Sequence, residues 1–291
     1  MTRNAYAICI TASPTIEKVS GLLSIPEAIL LGIVEGITEF LPISSTGHLL
    51  VVQQLLGFDT AQAESAADTY AIAIQFGAIL AVAFLYRQRI RQMLRGVVGQ
   101  SDDGRTLLLR LITAFLPAAF LGAVFGDAIK DQLFGPIPVI IAWAVGGVLL
   151  IVWTPQPRGS GLMELSVQSA FIIGLAQAIA LWPGVSRALV TLVAALLVGL
   201  SMSAALEFSF LLGLATLTAA SIFDVIRNGD ELFEQFGYLA PAVGLVAAFI
   251  TAIVAVKWVV GYLATHDLRI FGWYRLGIAA IGVVLLLTGT L

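Results

Sequence analysis

Charge is what this chain has least of. Lys and Arg number 15 and Asp and Glu 18 among 291 residues, so 11% of positions are charged, against about 25% in an ordinary soluble domain. Hydrophobic residues make up 59%, which is too many to hide in one soluble core of this size. That excludes a water-soluble globular domain. A single cysteine, Cys9, excludes an intrachain disulfide and a cysteine-based metal site. The first 26 residues hold only a brief apolar run at 5–12, with acid and base after it. This is a poor signal peptide and reads as an N-terminal extension.

What the chain has in abundance is long apolar runs, at 71–85, 107–124, 138–153, 204–223, 241–260 and 276–291. Their lengths suit helices, because a bilayer core of about 30 Å takes about 20 helical residues to cross. An all-α integral membrane protein is expected. Arg87, Arg89, Arg91, Arg95 and Arg105 gather between two of the runs, with Arg110 at the start of the second, which places that loop in the cytoplasm. Lys257, Arg269 and Arg275 flank a second loop expected on the same side. The arginine loop lies at the membrane surface without interleaved aromatics, so no nucleic-acid partner is expected.

The chain also repeats itself. Residues 32–45 can be laid over 174–186 if one residue is dropped before the proline. In each half a helix too short to cross stops at a proline, because proline lacks an amide hydrogen and clashes with the preceding turn. A second short helix follows. The pairs are 26–41 with 44–56, and 168–181 with 186–200. Helix, break, helix reads as a re-entrant hairpin, and irregular backbone at membrane depth persists only when buried in protein or lining a wet cavity. After each hairpin come a span with a central glycine (Gly77, Gly213) and two further spans. Three crossings per half is odd, so the halves are expected to be inverted, with six full spans and two hairpins meeting near the middle. The expected division is an extension at 1–26, a first repeat at 27–155 and a second at 165–291.

Polar residues concentrate at the two breaks. Glu35 and Glu39 are four apart and share a helix face. Two carboxylates that close repel unless one is protonated or a cation lies between them. With oxygen donors alone, the fitting cation is Mg2+ or Ca2+; the alternative is a pair of packing acids bonded to hydroxyls such as Thr38. Ser44, Ser45 and Thr46 stand at the start of the returning helix, where free amides and the positive dipole end favour an anion. His48 lies in the first turn, where a neutral imidazole can take a proton from a hydroxyl or water. In the second half Ser186 and Arg187 open the returning helix. The Arg187 guanidinium suits phosphate oxygens and could also neutralise Glu35 or Glu39. Gln177 occupies the repeat position of Glu35, and Thr191 lies one turn beyond Arg187. Glu207 falls either within the membrane or at the headgroups.

The run Glu35-Gly-Ile-Thr-Glu39-Phe-Leu-Pro-Ile-Ser-Ser-Thr-Gly-His48, with Pro183-Gly-Val-Ser-Arg187 and Glu207-Phe-Ser-Phe-Leu-Leu, resembles the bacitracin-resistance family of undecaprenyl-diphosphate phosphatases. The resemblance covers nearly the whole chain after residue 26. It implies a multi-pass enzyme of the bacterial plasma membrane that removes the terminal phosphate of a C55 lipid diphosphate. The product carries cell-wall precursors, and bacitracin tolerance and divalent-metal dependence follow. By the same resemblance the site is Glu35, Glu39, Ser45, His48 and Arg187 for catalysis. Ser44, Thr46, Gly47, Ser186 and Arg187 would bind substrate, joined by Gln177 from its repeat position and Thr191 from its helix face, and Glu35 and Glu39 would hold the metal. The nucleophile is either Ser45, with His48 as the preferred proton acceptor, or a water activated by His48 or a glutamate. Two departures stand out: Ala188-Leu189 replaces the usual Ser-Gly, and Ala71 replaces an acid often found four residues before Gln75. A lipid-phosphate flippase with the same cationic site is the competing expectation, and a homodimer is left open.

Overall fold

A serine starts the first helix. Ser24 Oγ accepts from the Glu27 amide while Glu27 Oε2 accepts from the Ser24 amide at 3.0 Å, a reciprocal cap that opens α1 at Ile25–Thr38. The computed structural model describes residues 23–58 and 61–291; Cys9 and the rest of 1–22 lie outside the described residues. After α1 come α2 (Ser45–Leu55), α3 (Ala61–Leu85), α4 (Arg87–Val97), α5 (Asp102–Leu133) and α6 (Pro136–Val152). The second half holds α7 (Val167–Gln177), α8 (Arg187–Leu197), α9 (Met202–Phe236), α10 (Leu239–Leu263) and α11 (Arg269–Leu287). Among the described residues the only β contact is a single bridge between Ser160 and Leu200. The protein is an all-α integral membrane protein.

Among the described residues, four stretches are long and apolar enough to cross a bilayer: Asp102–Gly126, Met202–Ile226, Leu239–Leu263 and Arg269–Leu287. A fifth, Thr69–Leu85, passes only together with Arg87–Val97, from which it is bent by 78°. Helix α6, with 17 residues, spans about 26 Å at 1.5 Å per residue and falls short of the usual span length. Bulky apolar side chains face outward along these helices, including Phe120 at 66% exposure. Such a surface suits lipid.

The repeat is more regular than the sequence alignment suggested. Ile25 and Val167, Ser45 and Arg187, and Gly57 and Gly199 are each separated by the same 142 positions, and they start, restart and follow the two hairpins. No residue has to be dropped; the proline alone is displaced by one. Each hairpin packs mainly on the other half. α1 lies along α10 and α7 along α5, while α3 meets α9 across the middle and α6 meets α11. Glycine makes the two exchanged contacts close: a Cβ on Gly32 would strike the Gly244 carbonyl, and one on Gly174 the Ala114 carbonyl. Packing of this kind, through small residues, is how helices associate where water supplies no hydrophobic drive.

Arg275 departs from its expected place. Its sequence position predicts a charge flanking a cytoplasmic loop, yet it is fully buried. Its guanidinium donates to the carbonyls of Ala142 (2.8 Å), Gly184 (2.9 Å), Val185 (3.3 Å) and Pro42 (3.5 Å). A proline-terminated break leaves carbonyls without helical partners, and one five-donor side chain satisfies those of both breaks at once. Glu207, left between two placements by its sequence position, is paired with Arg89.

Candidate active site

The two breaks share one unusual backbone. Ser44 has φ of 73° and Ser186 φ of 75°, the only non-glycine residues with positive φ among the described residues. Each is the residue before a returning helix. Such a conformation costs on the order of 1–3 kcal/mol per residue and persists where the surroundings enforce it. At Ser186 the side chain caps its own helix, accepting from the Leu189 amide at 3.2 Å. Ser44 makes no such cap, so the first amides of α2 stay open for an anion.

These turns bring the carboxylates of one hairpin to the guanidinium of the other. Arg187 Nη2 donates to Glu39 Oε1 at 2.8 Å. Ser45 Oγ donates to the other oxygen, Glu39 Oε2. Three things aim the arginine: the Ser209 carbonyl accepts from Nη1 at 3.3 Å, the Phe40 ring lies 5.1 Å from its carbon, and Gly213 leaves the space that the guanidinium fills. Glu35 is 1% exposed, and its Oε1 has no hydrogen-bond partner. Thr38 does not satisfy it, because that hydroxyl donates to the Val34 carbonyl. An orphaned, buried carboxylate oxygen beside Glu39 fits a hard cation. No third His, Cys, Asp or Glu joins the pair among the described residues, so phosphate oxygens, hydroxyls or water would complete the shell.

A cavity of about 470 Å3 opens at this ion pair. Glu39, Ser44, Ser45, Thr46, Ser186 and Arg187 line its polar end, and Gln75, Gln177, Thr216 and Asp224 its flank. Phe115, Ala119, Gly122, Leu217 and Phe223 form an apolar wall.

Not every expected residue reaches this space. Gly47 lies behind it, where a Cβ would run into the Trp143 ring. Thr191 is fully buried and donates to the Arg187 carbonyl at 2.8 Å, supporting the helix rather than lining the cavity. His48 is the larger departure. Its Nδ1 lies 2.6 Å from the Ser44 carbonyl and its Nε2 2.9 Å from the Tyr274 hydroxyl. A carbonyl only accepts, so Nδ1 carries the proton and Nε2 of the neutral ring accepts from Tyr274. Neither nitrogen is directed to Ser45, whose proton points to Glu39 instead. Phe40, Gly213, Tyr274 and Arg275 were not singled out as site residues. Only the central-glycine pattern at Gly213 carried a sequence signal.

Two broken helices meeting over one charged cavity, inside an apolar helical bundle, define a multi-pass membrane protein with a buried ionic site. The family model described as "Bacitracin resistance protein BacA" matches residues 28–281, and the chain belongs to that family. It is 44% identical over 262 residues, 88% of this chain and 84% of the relative, to an undecaprenyl-diphosphatase of Sorangium cellulosum. It is 45% identical over 271 residues to undecaprenyl-diphosphatase 2 of Rhodospirillum rubrum, covering 92% of this chain and 96% of that one. A third relative, from Nitrosospira multiformis, is 41% identical over 265 residues, 90% of this chain and 94% of the relative, and carries the same enzyme name.

Proposed function

We propose that this protein hydrolyses undecaprenyl diphosphate to undecaprenyl phosphate and inorganic phosphate in the bacterial plasma membrane. That reaction recycles a lipid carrier for cell-wall synthesis and confers bacitracin tolerance. The observation that carries the reading is the Arg187–Glu39 pair with Ser45 bound to the same carboxylate, at the polar end of a cavity with an apolar wall. An isoprenoid diphosphate has that duality of headgroup and hydrocarbon. The names of the relatives support hydrolysis over transport.

The diphosphate enters head first and draws Arg187 from Glu39 onto its oxygens. Guanidinium and phosphate match in fork geometry, and the uncapped amides of α2 face the same anion. Ser45 Oγ attacks the terminal phosphorus while its proton passes to Glu39, to which it already donates. The bridging P–O bond breaks and the lipid monophosphate leaves, taking the proton from Glu39 onto its departing oxygen and so returning Glu39 to the carboxylate. Water then hydrolyses the phosphoserine with Glu39 as base, releasing inorganic phosphate. Phosphoryl transfer is mainly positioning and charge stabilisation, which is what these residues supply. Glu35 and Glu39 would hold Mg2+ or Ca2+, which neutralises charge on the phosphates when bound. His48 fixes the Ser44 turn from which Ser45 projects, with Gln177 and Thr216 on the cavity flank.

In the membrane this reading places residues 27–155 and 165–291 as inverted halves, with six crossings and two re-entrant hairpins. The constant separation of 142 positions and the exchanged packing of α1 on α10 and α7 on α5 support it. The decisive assay is phosphate release from farnesyl diphosphate by purified protein in detergent, with and without chelator. Chelator-sensitive release is expected; a protein that only moves lipid releases none.

A further inference from the structure

We propose a second anion site, outside the cavity, that binds the phosphate headgroup of an anionic phospholipid in the groove between α4 and the α4–α5 connection. Helix α4 turns 78° away from the apolar stretch before it and carries Arg87, Arg89, Arg91 and Arg95 in 11 residues. Four arginines in so short a helix do not enter hydrocarbon, and a sharp turn after a span lays the helix along the interface. The groove is about 490 Å3 and is lined by Gln88, Arg91, Gln92, Arg95, Gln100 and Ser101.

Several polar groups there carry donor hydrogens for which no acceptor is found among the described residues. Arg91 and Arg95 are one turn apart, exposed, and in no ion pair among the described residues. Arg89, by contrast, is held by Glu207 and also donates to Gln92 Oε1 at 3.0 Å, which leaves the Gln92 amide hydrogens for a ligand. Ser101 Oγ accepts from the Gly104 amide at 3.0 Å, so its own hydrogen is free to donate. Phosphate oxygens accept only, and two guanidinium groups with an amide and a hydroxyl are a matching set. Asp102 and Asp103 follow in sequence, but Asp102 is paired with Arg105 at 3.5 Å and neither carboxylate lines the groove.

The hydrocarbon side of the ligand follows from the same helix. Leu94, Val97 and Val98 are 62%, 66% and 67% exposed, next to the charged flank. A free phosphate leaves them in water; a phospholipid covers them with its acyl chains. The groove is also rigid, because Gly96 and Gly104 let α4 and α5 approach until a Cβ on either would strike the facing backbone.

The test is native mass spectrometry of the full-length protein in detergent with phosphatidylglycerol or phosphatidylcholine, comparing wild type, R91Q/R95Q and the control R158Q. Each interfacial arginine strengthens binding to anionic lipid about fivefold, so R91Q/R95Q should lose preference for phosphatidylglycerol by at least about tenfold, with R158Q unchanged. Farnesyl diphosphate hydrolysis and thermal melting of the double variant should match wild type, which separates a lost site from a lost fold. Equal lipid preference in wild type and R91Q/R95Q overturns the proposal. Displacement of phosphatidylglycerol by millimolar inorganic phosphate overturns the lipid assignment. The phosphatase reading can fail in its own assay without touching this one.

Discussion

Arg187 and Glu39, 148 residues apart in the chain, form an ion pair of 2.8 Å between the start of an 11-residue helix and the end of a 14-residue one. Their side chains are 12% and 5% exposed, so the pair is held away from water. Removing one partner strands the other charge, at a cost of about 3–5 kcal/mol, whereas replacing both with neutral groups is far milder. Glu39→Gln and Arg187→Ala should therefore each lower the melting temperature in detergent and reduce phosphate release at least about a hundredfold. The double variant Glu39→Gln/Arg187→Leu should recover stability without recovering activity. Wild-type-like turnover in either single variant would refute the site.

Ser45 donates to Glu39, the contact on which its proposed role as nucleophile, with the carboxylate as proton acceptor, rests. Rapid quenching with substrate labelled in the terminal phosphate should trap label on Ser45, and Ser45→Ala should abolish the adduct. Turnover by Ser45→Ala at the wild-type rate would transfer the role to water.

Gly213 makes room for Arg187. Gly213→Ala should push the guanidinium aside, raising KM for farnesyl diphosphate, with kcat/KM down by on the order of a hundredfold for a displacement of about 1 Å. Melting should change little, since one methyl group is added beside a flexible side chain.

Glu35 keeps an unpartnered buried oxygen. Chelation should stop hydrolysis, and readdition of Mg2+ or Ca2+ should restore it. Glu35→Gln should shift half-activation to higher metal concentration, measured by titrating metal into chelated enzyme. Unaltered metal dependence in that variant would remove Glu35 from the metal site.

Arg275 joins the carbonyls of both breaks. Buried polar groups left without partners cost about 1–3 kcal/mol each, so Arg275→Ala, which strands four acceptors, should lower the melting temperature by at least about 8 °C, at roughly 2–4 °C per kcal/mol. Arg275→Lys should rescue little, because a single ammonium cannot serve four acceptors spread over three segments.

Much of this was legible in the residues themselves. Apolar runs declared the membrane, because hydrocarbon admits no idle charge. Pro42 and Pro183 declared the breaks, because proline cannot continue a helix. The acids, hydroxyls and guanidinium stand at those breaks in the sequence, and the structure brings Glu39, Ser44, Ser45, Thr46, Ser186 and Arg187 to one cavity. Where the reading slipped, it slipped on direction. His48 stood in the right turn but faces Tyr274, and Gly47 and Thr191 stood in the right segments but face packing partners. Arg275 resembled a loop charge because a positive residue at the start of an apolar run usually is one.

Sequence alone determined what is costly to bury, and so which segments enter lipid and which polar groups must gather inside it. Tertiary structure decided which of those groups meet. Arg187 reaches Glu39 only because α1 packs on α10 and α7 on α5, contacts between residues far apart in the chain that no local pattern records. The assignment of Ser45 to Glu39 rather than His48 depends on side-chain directions set by Ser44 at φ of 73°. Left-handed backbone at a serine is enforced by its surroundings, not by its own preference.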